Sequence, residues 1–399
     1  MLRNILLIPV AMLTALLVFE ALARLWIDIP NPYALEPGVR VLDQRGFWVP
    51  QPGFEGVMDN LADFRDKRVR IDDDGTRHVP CRAKAGAAQS GQASGGGQRI
   101  FLLGDSQTFG FGLSDGETWP NRLQCGLGTK AHVFNMGVHG TNIDQYVKRG
   151  LRQVMGAIRR NDIVVAGVTW NDLISPQPAR NVAQARDDAA SIPGDNGGLT
   201  VSLLKPVKHA TQETWRSRFY RKTGILVPVF GSWGSFAESL TYSSALARIA
   251  VPRARLLYYR FRPGDTFAGK LRPGDVQRNM ELLGILNRAV ERTGGHLIVY
   301  MLPNRLFFDD TYYAAYSAAG TAFPAQDYMT HLAAPYCVRD GLRCVTAFDG
   351  LKTPGPDTYT YVFDGHYNES GAAAVAGVLK RYLERECVAG GRRCLLVDR

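Results

Sequence analysis

The sequence predicts an α/β fold in which a parallel sheet is covered by helices on both faces. Short apolar runs alternate with helical patterns, and these runs lie at residues 100–103, 132–134, 162–167, 296–302 and 344–348. Continuous apolar runs bounded by turn residues are typical of strands buried on both faces. Because strands that alternate with helices form parallel sheets, the pattern indicates one large domain of this class.

Helical patterns follow most of these strands. The segments with helical periodicity are residues 118–127, 143–159, 276–293 and 370–386. Ahead of the first buried strand, residues 69–71 resemble a short strand that ends in an acidic turn. Each element is therefore separated from the next by a loop in which functional side chains can lie.

Composition limits the possible classes of protein. The chain has 399 residues, of which 45% are apolar and 21% are charged, so it can bury a large core. The formal net charge of +10 suits an anionic surface or substrate, although a soluble basic protein has the same balance. Zinc-finger spacing and RNA-binding signatures are missing from the sequence, which predicts no nucleic-acid partner.

The N-terminus has the features of an export segment. Residues 5–19 form an uncharged, mostly apolar run behind Arg3. Two interpretations follow: a transmembrane anchor that continues to Trp26, or a signal peptide cleaved after Ala23. A buried first helix is the third. The first predicts attachment to a bacterial-type inner membrane on its periplasmic side, and the second predicts secretion.

The predicted domain organisation has three parts, of which the first is a signal or anchor segment at residues 1–29. Residues 30–98 are interpreted as a stalk followed by an Ala/Gly/Ser-rich linker, and residues 99–399 as the main domain. An insertion at about residues 175–274 interleaves arginines and lysines with aromatic side chains. It predicts either contact with a membrane surface or anionic polymer, or a solvated basic face.

Six cysteines indicate disulfides if the chain is exported. They are Cys81, Cys125, Cys337, Cys344, Cys387 and Cys394. Two local pairs plus Cys81–Cys125 is one of fifteen possible connectivities, and reduced thiols are the alternative in the cytosol.

A serine with a possible oxyanion site follows the first buried strand. Gly104 and Asp105 precede Ser106 at a strand-to-helix turn, where a helix start supplies backbone N–H groups. After the next strand, Gly140 can present another N–H group. The simpler alternatives are a helix cap at Asp105 or Ser106 and a tight turn at Gly140.

Two later segments could complete a hydrolytic site. Asn171 and Asp172 follow the third strand, where an asparagine amide can stabilise an oxyanion or simply cap a helix. His366 can accept and return a proton near neutral pH, and Asp364 can orient it. A structural histidine is the alternative.

Taken in this order, the four segments resemble the sequence blocks of the SGNH hydrolase superfamily, the GDSL-type esterases and lipases. The resemblance implies a flavodoxin-like three-layer α/β/α sandwich. It implies Ser106 as nucleophile, with Asp364 and His366 completing the triad. The implied oxyanion donors are Ser106, Gly140 and Asn171, supported by Gly104, Asp105 and Asp172. It implies no metal and no cofactor.

Two positions depart from the family pattern. Thr169 stands where the third block usually has glycine. The last block has the acid two residues before His366 instead of three, and Phe363 occupies the usual position of the acid. A Ser106–His366 dyad is therefore an alternative to the triad.

The predicted function is hydrolysis of short acyl esters of glycans or lipids outside the cytoplasm. One alternative is an O-acyltransferase that modifies a cell-surface polysaccharide, since only the acceptor of the acyl group differs. The second alternative is a non-catalytic glycan-binding protein on a degenerate hydrolase fold. The sequence leaves the oligomeric state open.

Overall fold

A parallel sheet and the helices around it dominate the structure. The computed structural model describes residues 2–29, 31, 34–35, 38–84, 98–192, 215–223, 226–227, 233–262, 271–318, 325–352, 359–362 and 364–388. The strands are β1 (Arg40–Leu42), β2 (Trp48–Pro50), β3 (Glu55–Met58), β4 (Lys67–Arg70), β5 (Gln98–Gly104), β6 (Ala131–Asn135), β7 (Ile163–Thr169), β8 (His296–Leu302) and β9 (Arg343–Thr346). The helices are α1 (Leu2–Ala23), α2 (Pro80–Lys84), α3 (Ser106–Phe109), α4 (Trp119–Leu127), α5 (Ile143–Arg149), α6 (Trp170–Leu173), α7 (Ala179–Ala190), α8 (Trp215–Thr223), α9 (Trp233–Thr241), α10 (Ala245–Phe261), α11 (Pro273–Arg292), α12 (Arg305–Phe308), α13 (Asp310–Ala318), α14 (Tyr328–Arg339), α15 (Phe348–Leu351) and α16 (Glu369–Val388).

The central sheet has the strand order β6-β5-β7-β8-β9, and every neighbouring pair is parallel. Counted along the chain, this is the order 2-1-3-4-5 of flavodoxin-like doubly wound sheets. The predicted parallel sheet is therefore confirmed, and its strand order is the one that the family resemblance implies.

Alternating side chains of β5 show how both faces of the sheet are covered. Ile100 and Leu102 belong to a buried cluster with residues of α4 and α16. Phe101 and Leu103 point the other way, into a cluster with residues of α5 and α11. Because ligands of such sheets gather beyond the carboxyl ends of the strands, the segments after β5, β6 and β7 are the candidates for a site.

The region between the N-terminal helix and the sheet is folded, unlike the extended stalk expected there. β1 pairs with β2 and β3 with β4, both antiparallel. Val41, Phe47 and Val49 form a small buried cluster, while Met58 packs in another cluster with Phe109 beside the sheet. These apolar side chains gain burial by packing against the domain. The predicted linker lies mostly at residues 85–97, outside the described residues.

Two helical segments differ from their predicted bounds. The helix predicted at residues 143–159 stops at Arg149 and continues as a π-helical turn, Gly150–Val154. A Cβ atom on Gly150 would lie 2.8 Å from a methyl group of Leu286, so close packing against α11 accompanies the change. α7, assigned to the insertion by sequence, covers the sheet through Val182 and neighbouring residues.

The N-terminal run forms α1, as an apolar segment of this length allows. Among the described helices, none is long and apolar enough to cross a membrane, so the predicted transmembrane anchor is not supported. The end of α1 instead contacts the inserted segment. Glu20 accepts hydrogen bonds from the Ser244 hydroxyl at 2.7 Å and from the N–H groups of Ala245 and Leu246 at 2.9 and 3.1 Å.

Two disulfides connect described cysteines. Cys81 is bonded to Cys125, which joins α2 to α4, and Cys337 is bonded to Cys344. Both bonds occur in the connectivity considered from the sequence. The third pair of that connectivity includes Cys394, which lies outside the described residues.

Candidate functional site

Ser106 lies at the turn between β5 and α3. Asp105 is the N-cap of α3, and its carboxylate accepts a hydrogen bond from the Gln107 N–H at 2.9 Å. A Cβ atom on Gly104 would lie 2.8 Å from the carbonyl oxygen of Gly167, so only glycine fits between the two strands. The capping role is thus filled by Asp105, which leaves the Ser106 side chain free to point away from the sheet.

The structure brings Ser106 and His366 together, although 260 residues separate them. The Nε2 atom of His366 lies 2.7 Å from the Ser106 Oγ atom. The Nδ1 atom of the same ring is hydrogen-bonded to the carboxylate of Asp364. The acid two residues before His366 therefore reaches the ring, and Phe363 lies outside the described residues.

Acidic neighbours hold the pKa of His366 above its ordinary value. Burial by itself lowers this pKa, but the charge and hydrogen bond of Asp364 and the charge of Asp105 outweigh that effect. The Phe111 ring packs against the imidazole with centroids 4.9 Å apart. The arrangement stabilises an imidazolium ion, which is the species formed when histidine takes a proton from a serine.

Thr169 connects the loop after β7 to the serine turn. Its hydroxyl lies 3.0 Å from Asp105 Oδ2, 3.0 Å from Asn171 Oδ1 and 2.9 Å from Asp172 Oδ2. The backbone at Thr169 is extended, with φ of −95° and ψ of 168°, so this position does not need glycine. The Oδ1 atom of Asn171 accepts the hydrogen bond from Thr169, so its Nδ2 group faces away from Thr169. The Asn171 residue is exposed.

The carboxyl groups of Asp105 and Asp172 both lie within hydrogen-bond distance of the Thr169 hydroxyl. Burial raises the pKa of Asp105, although hydrogen bonds and the His366 charge oppose the effect. Burial and the nearby charge of Asp105 raise the pKa of Asp172 well above its ordinary value. Tyr146 donates to Asp172 at 3.4 Å. Asp172 is therefore the member of the pair whose pKa is raised by the charge of its neighbour as well as by burial.

Gly140 occupies a turn after β6. Its φ of 69° lies in the left-handed region that favours glycine. Its N–H group donates to no backbone carbonyl among the described residues. The same holds for Ser106, which begins α3 and so has no acceptor within the helix. Together with the Asn171 amide, these groups remain the expected oxyanion donors.

Sequence patterns did not indicate three residues that lie near the site. Asp63 accepts a hydrogen bond from the N–H of Asp364 at 2.8 Å, across 301 positions of the chain. Phe111 contacts the His366 ring, and Arg40 donates to the carbonyl oxygen of His139 at 2.6 Å. No local pattern marks Arg40 or Asp63, because both come from the region that was interpreted as a stalk and linker.

The part of the chain that the structure describes contains no group of three metal-binding side chains that could hold an ion. The chemistry that the residues themselves can perform is proton transfer between Ser106 and His366, with Asp364 on the other ring nitrogen. Such a group can activate a serine hydroxyl for attack on a carbonyl carbon.

No family model matches the sequence, and no curated protein matches it. Among solved structures, a lipolytic protein of the G-D-S-L family from Veillonella parvula is 10% identical with a TM-score of 0.35, covering 72% of this chain and 99% of its own. A carbohydrate acetylesterase from Sinorhizobium meliloti is 10% identical with a TM-score of 0.38 over the same shares. An aryl esterase from M. smegmatis is 9% identical with a TM-score of 0.37, again over 72% and 99%. These structures of a G-D-S-L lipolytic protein and of two esterases are among those to which the chain is similar.

Proposed function

We propose that this protein is an SGNH-type serine esterase that hydrolyses esters through an acyl-enzyme. The observation that carries the proposal is the 2.7 Å contact between Ser106 Oγ and His366 Nε2. The hydrogen bond of Asp364 to Nδ1 of the same ring supports it, because that bond fixes the tautomer in which Nε2 accepts a proton.

In the proposed first half-reaction, His366 takes the Ser106 proton while Oγ attacks the ester carbonyl carbon. The N–H groups of Ser106 and Gly140 and the Asn171 amide bind the oxyanion. When the intermediate collapses, the ester C–O bond breaks and His366 gives its proton to the leaving alcohol.

In the second half-reaction, His366 takes a proton from water as the water oxygen attacks the acyl carbon. The bond to Ser106 Oγ breaks, and the proton returns from His366 to Oγ. The products are one carboxylic acid and one alcohol, and the enzyme returns to its starting state.

We also propose that the substrates are short acyl esters of glycans or lipids outside the cytoplasm. The two disulfides support this location, because such bonds persist in oxidising compartments. The contacts of Glu20 with α10 support an N-terminal helix that stays attached, since cleavage after Ala23 would remove Glu20. Cell fractionation and mass spectrometry of the mature N-terminus test both points.

The direct test compares Ser106→Ala with Ser191→Ala, which alters an exposed serine after α7. We expect Ser106→Ala to abolish hydrolysis of para-nitrophenyl acetate and labelling by a fluorophosphonate probe, while circular dichroism stays unchanged. Ser191→Ala should behave like the wild type. Labelling of folded Ser106→Ala at the wild-type rate would contradict the assignment.

Two outcomes would favour other functions. Acyl release that is much faster with a sugar acceptor than with water would indicate an O-acyltransferase. A folded wild-type protein that neither reacts with the probe nor hydrolyses any ester would indicate a non-catalytic glycan-binding protein.

A further inference from the structure

Arg40 lies beside the loop that carries Gly140, and no acidic side chain in the described part of the chain pairs with its charge. We propose that Arg40 forms an anion-binding subsite and that the preferred ester substrate carries a negatively charged group, such as a carboxylate, close to its ester bond. This inference rests on the proposed esterase function and adds a substrate class to it.

The position of the Arg40 guanidinium is defined from two sides. Arg40 begins β1, and its guanidinium carbon lies 5.0 Å from the ring centroid of Trp48, which begins β2. Its Nη1 atom donates to the His139 carbonyl oxygen at 2.6 Å. Stacking on one side and a hydrogen bond on the other hold the long side chain in place before a ligand arrives.

Arg40 is also close to the expected oxyanion donors. A Cβ atom built on Gly140 would lie only 2.6 Å from Arg40 Nη1. The His139 ring lies 6.3 Å from the Phe111 ring, which in turn is 4.9 Å from the His366 ring. A substrate whose carbonyl oxygen is bound near Gly140 therefore has the guanidinium as a neighbour.

His139 separates the two cationic groups without adding a charge. Burial and then the charges of Arg40 and His366 lower the pKa of His139 to about 3. The imidazole is therefore neutral near neutral pH. Arg40 is the lasting positive charge on this side of the site.

The unused bonding capacity of Arg40 distinguishes it from the buried Arg77. Arg40 is half-buried, donates one hydrogen bond and forms no ion pair with any residue that the structure describes. Arg77, by contrast, pairs with Asp115 and donates to three backbone carbonyls. Burial lowers the Arg40 pKa, and no acidic group in the described ranges offsets the effect.

A carboxylate on the substrate would supply the negatively charged partner that Arg40 lacks among the described residues. Guanidinium groups bind carboxylates through paired hydrogen bonds, and charge-assisted bonds of this kind are stronger than neutral ones. The alternative is that Arg40 only holds the His139 loop in place. The two roles differ in one respect: only a subsite discriminates between charged and neutral esters.

The experiment measures kcat/KM of the full-length protein for two matched pairs of esters. The first pair is the para-nitrophenyl monoester of succinic acid and para-nitrophenyl pentanoate, which differ in charge on the acyl side. The second pair is meta-carboxyphenyl acetate and meta-carbamoylphenyl acetate, which differ on the alcohol side. We expect the wild type to prefer the anionic member of at least one pair.

Substitution of Arg40 tests the origin of that preference. Arg40→Gln should reduce the anionic-to-neutral ratio of kcat/KM by about 10-fold to 100-fold, as expected for loss of a charged hydrogen bond. Arg40→Lys should restore part of it. Arg68→Gln removes an equal charge from an exposed position and should leave the ratio unchanged.

Three outcomes overturn the inference, and they can be told apart. A wild type that hydrolyses the neutral esters without preferring an anionic one refutes the subsite and leaves the esterase proposal intact. Equal losses for charged and neutral esters in both Arg40 variants indicate a purely structural role. A wild type that hydrolyses none of the four esters and does not react with a fluorophosphonate refutes the proposed function, and the subsite with it.

Discussion

The hydroxyl of Thr169 lies 3.0 Å from the Oδ1 atom of Asn171, and the same hydroxyl lies 3.0 Å from the carboxylate of Asp105. Thr169 thus connects the expected oxyanion amide to the residue that precedes Ser106. Glycine, the usual residue at this point of the family block, could form neither contact.

Thr169→Val keeps the shape of the side chain and removes the hydroxyl, so it tests this connection. We expect kcat to fall by roughly 10-fold with little change in KM, because the Asn171 amide loses the bond that orients it. Steady-state kinetics on para-nitrophenyl acetate measure both constants. Thr169→Ser, which retains the hydroxyl, is the control. A valine variant with wild-type kcat would show that Thr169 does not position Asn171.

The Asp364–His366 contact predicts a defined change in the pH profile. His366 must be neutral to accept the Ser106 proton, so kcat/KM rises with pH through the His366 pKa. Asp364 raises that pKa. Asp364→Asn should therefore move the midpoint to lower pH and reduce the plateau by roughly 100-fold to 10,000-fold.

The matched control for this variant is Asp187→Asn, which removes an exposed carboxylate from α7. It should leave both the midpoint and the plateau unchanged. A midpoint that stays in place or rises in Asp364→Asn would show that Asp364 does not interact with the catalytic imidazole in solution.

The pKa of Asp172 is raised, which favours its neutral form, so we expect its substitution by asparagine to be mild. Its raised pKa follows from burial and from the charge of Asp105. Asp172→Asn replaces the carboxyl group by a neutral group of similar shape, so we expect kcat/KM to stay within about 5-fold and Tm within a few degrees. A loss beyond about 100-fold would mean that the ionised carboxylate is required.

Glu20 is predicted to stabilise the start of α10. Burial raises its pKa, but hydrogen bonds from Ser244, Ala245, Leu246 and Arg24 lower it to about 2. A lowered carboxyl pKa adds stability above the unfolded value near 4.5, and this contribution is lost as pH falls from there towards 2.

Glu20→Gln should therefore increase hydrogen exchange at the first turn of α10 at pH 7 by about 5-fold, the equivalent of losing one helix cap. The difference from the wild type should shrink as pH falls below about 4.5, because Glu20 takes up a proton there when its contacts are open, whereas the folded form has a pKa of about 2. Equal exchange in the two proteins at pH 7 would show that α1 does not hold α10 in solution.

The class of the fold could be predicted from local patterns. The three inner strands of the central sheet, β5, β7 and β8, each contain a continuous apolar run, because a strand between two helical layers is buried on both faces. The short polar blocks after these strands could be found in the same way. Gly104 and Gly140 occupy positions where close packing or a positive φ favours glycine, so each leaves a visible mark in the sequence.

Contacts between distant parts of the chain could not be predicted in this way. The region of β1 to β4, which contains Arg40, was interpreted from the sequence as a stalk and linker. Strands of three or four residues leave a weak pattern in the sequence, because they gain their stability by packing on the domain. Asp63, between β3 and β4, likewise contacts Asp364 only because this region folds back to the edge of the sheet.

By itself, the sequence determined the parallel α/β architecture, the residues that can do chemistry and the order in which they occur. Only the tertiary structure decided that His366 reaches Ser106, that Thr169 can replace glycine, and that Arg40 lies beside Gly140 with no ion-pair partner among the described residues. The physical reason is that burial patterns and turn residues act over a few neighbouring positions. Hydrogen bonds between side chains depend on which loops the fold brings to the same edge of the sheet.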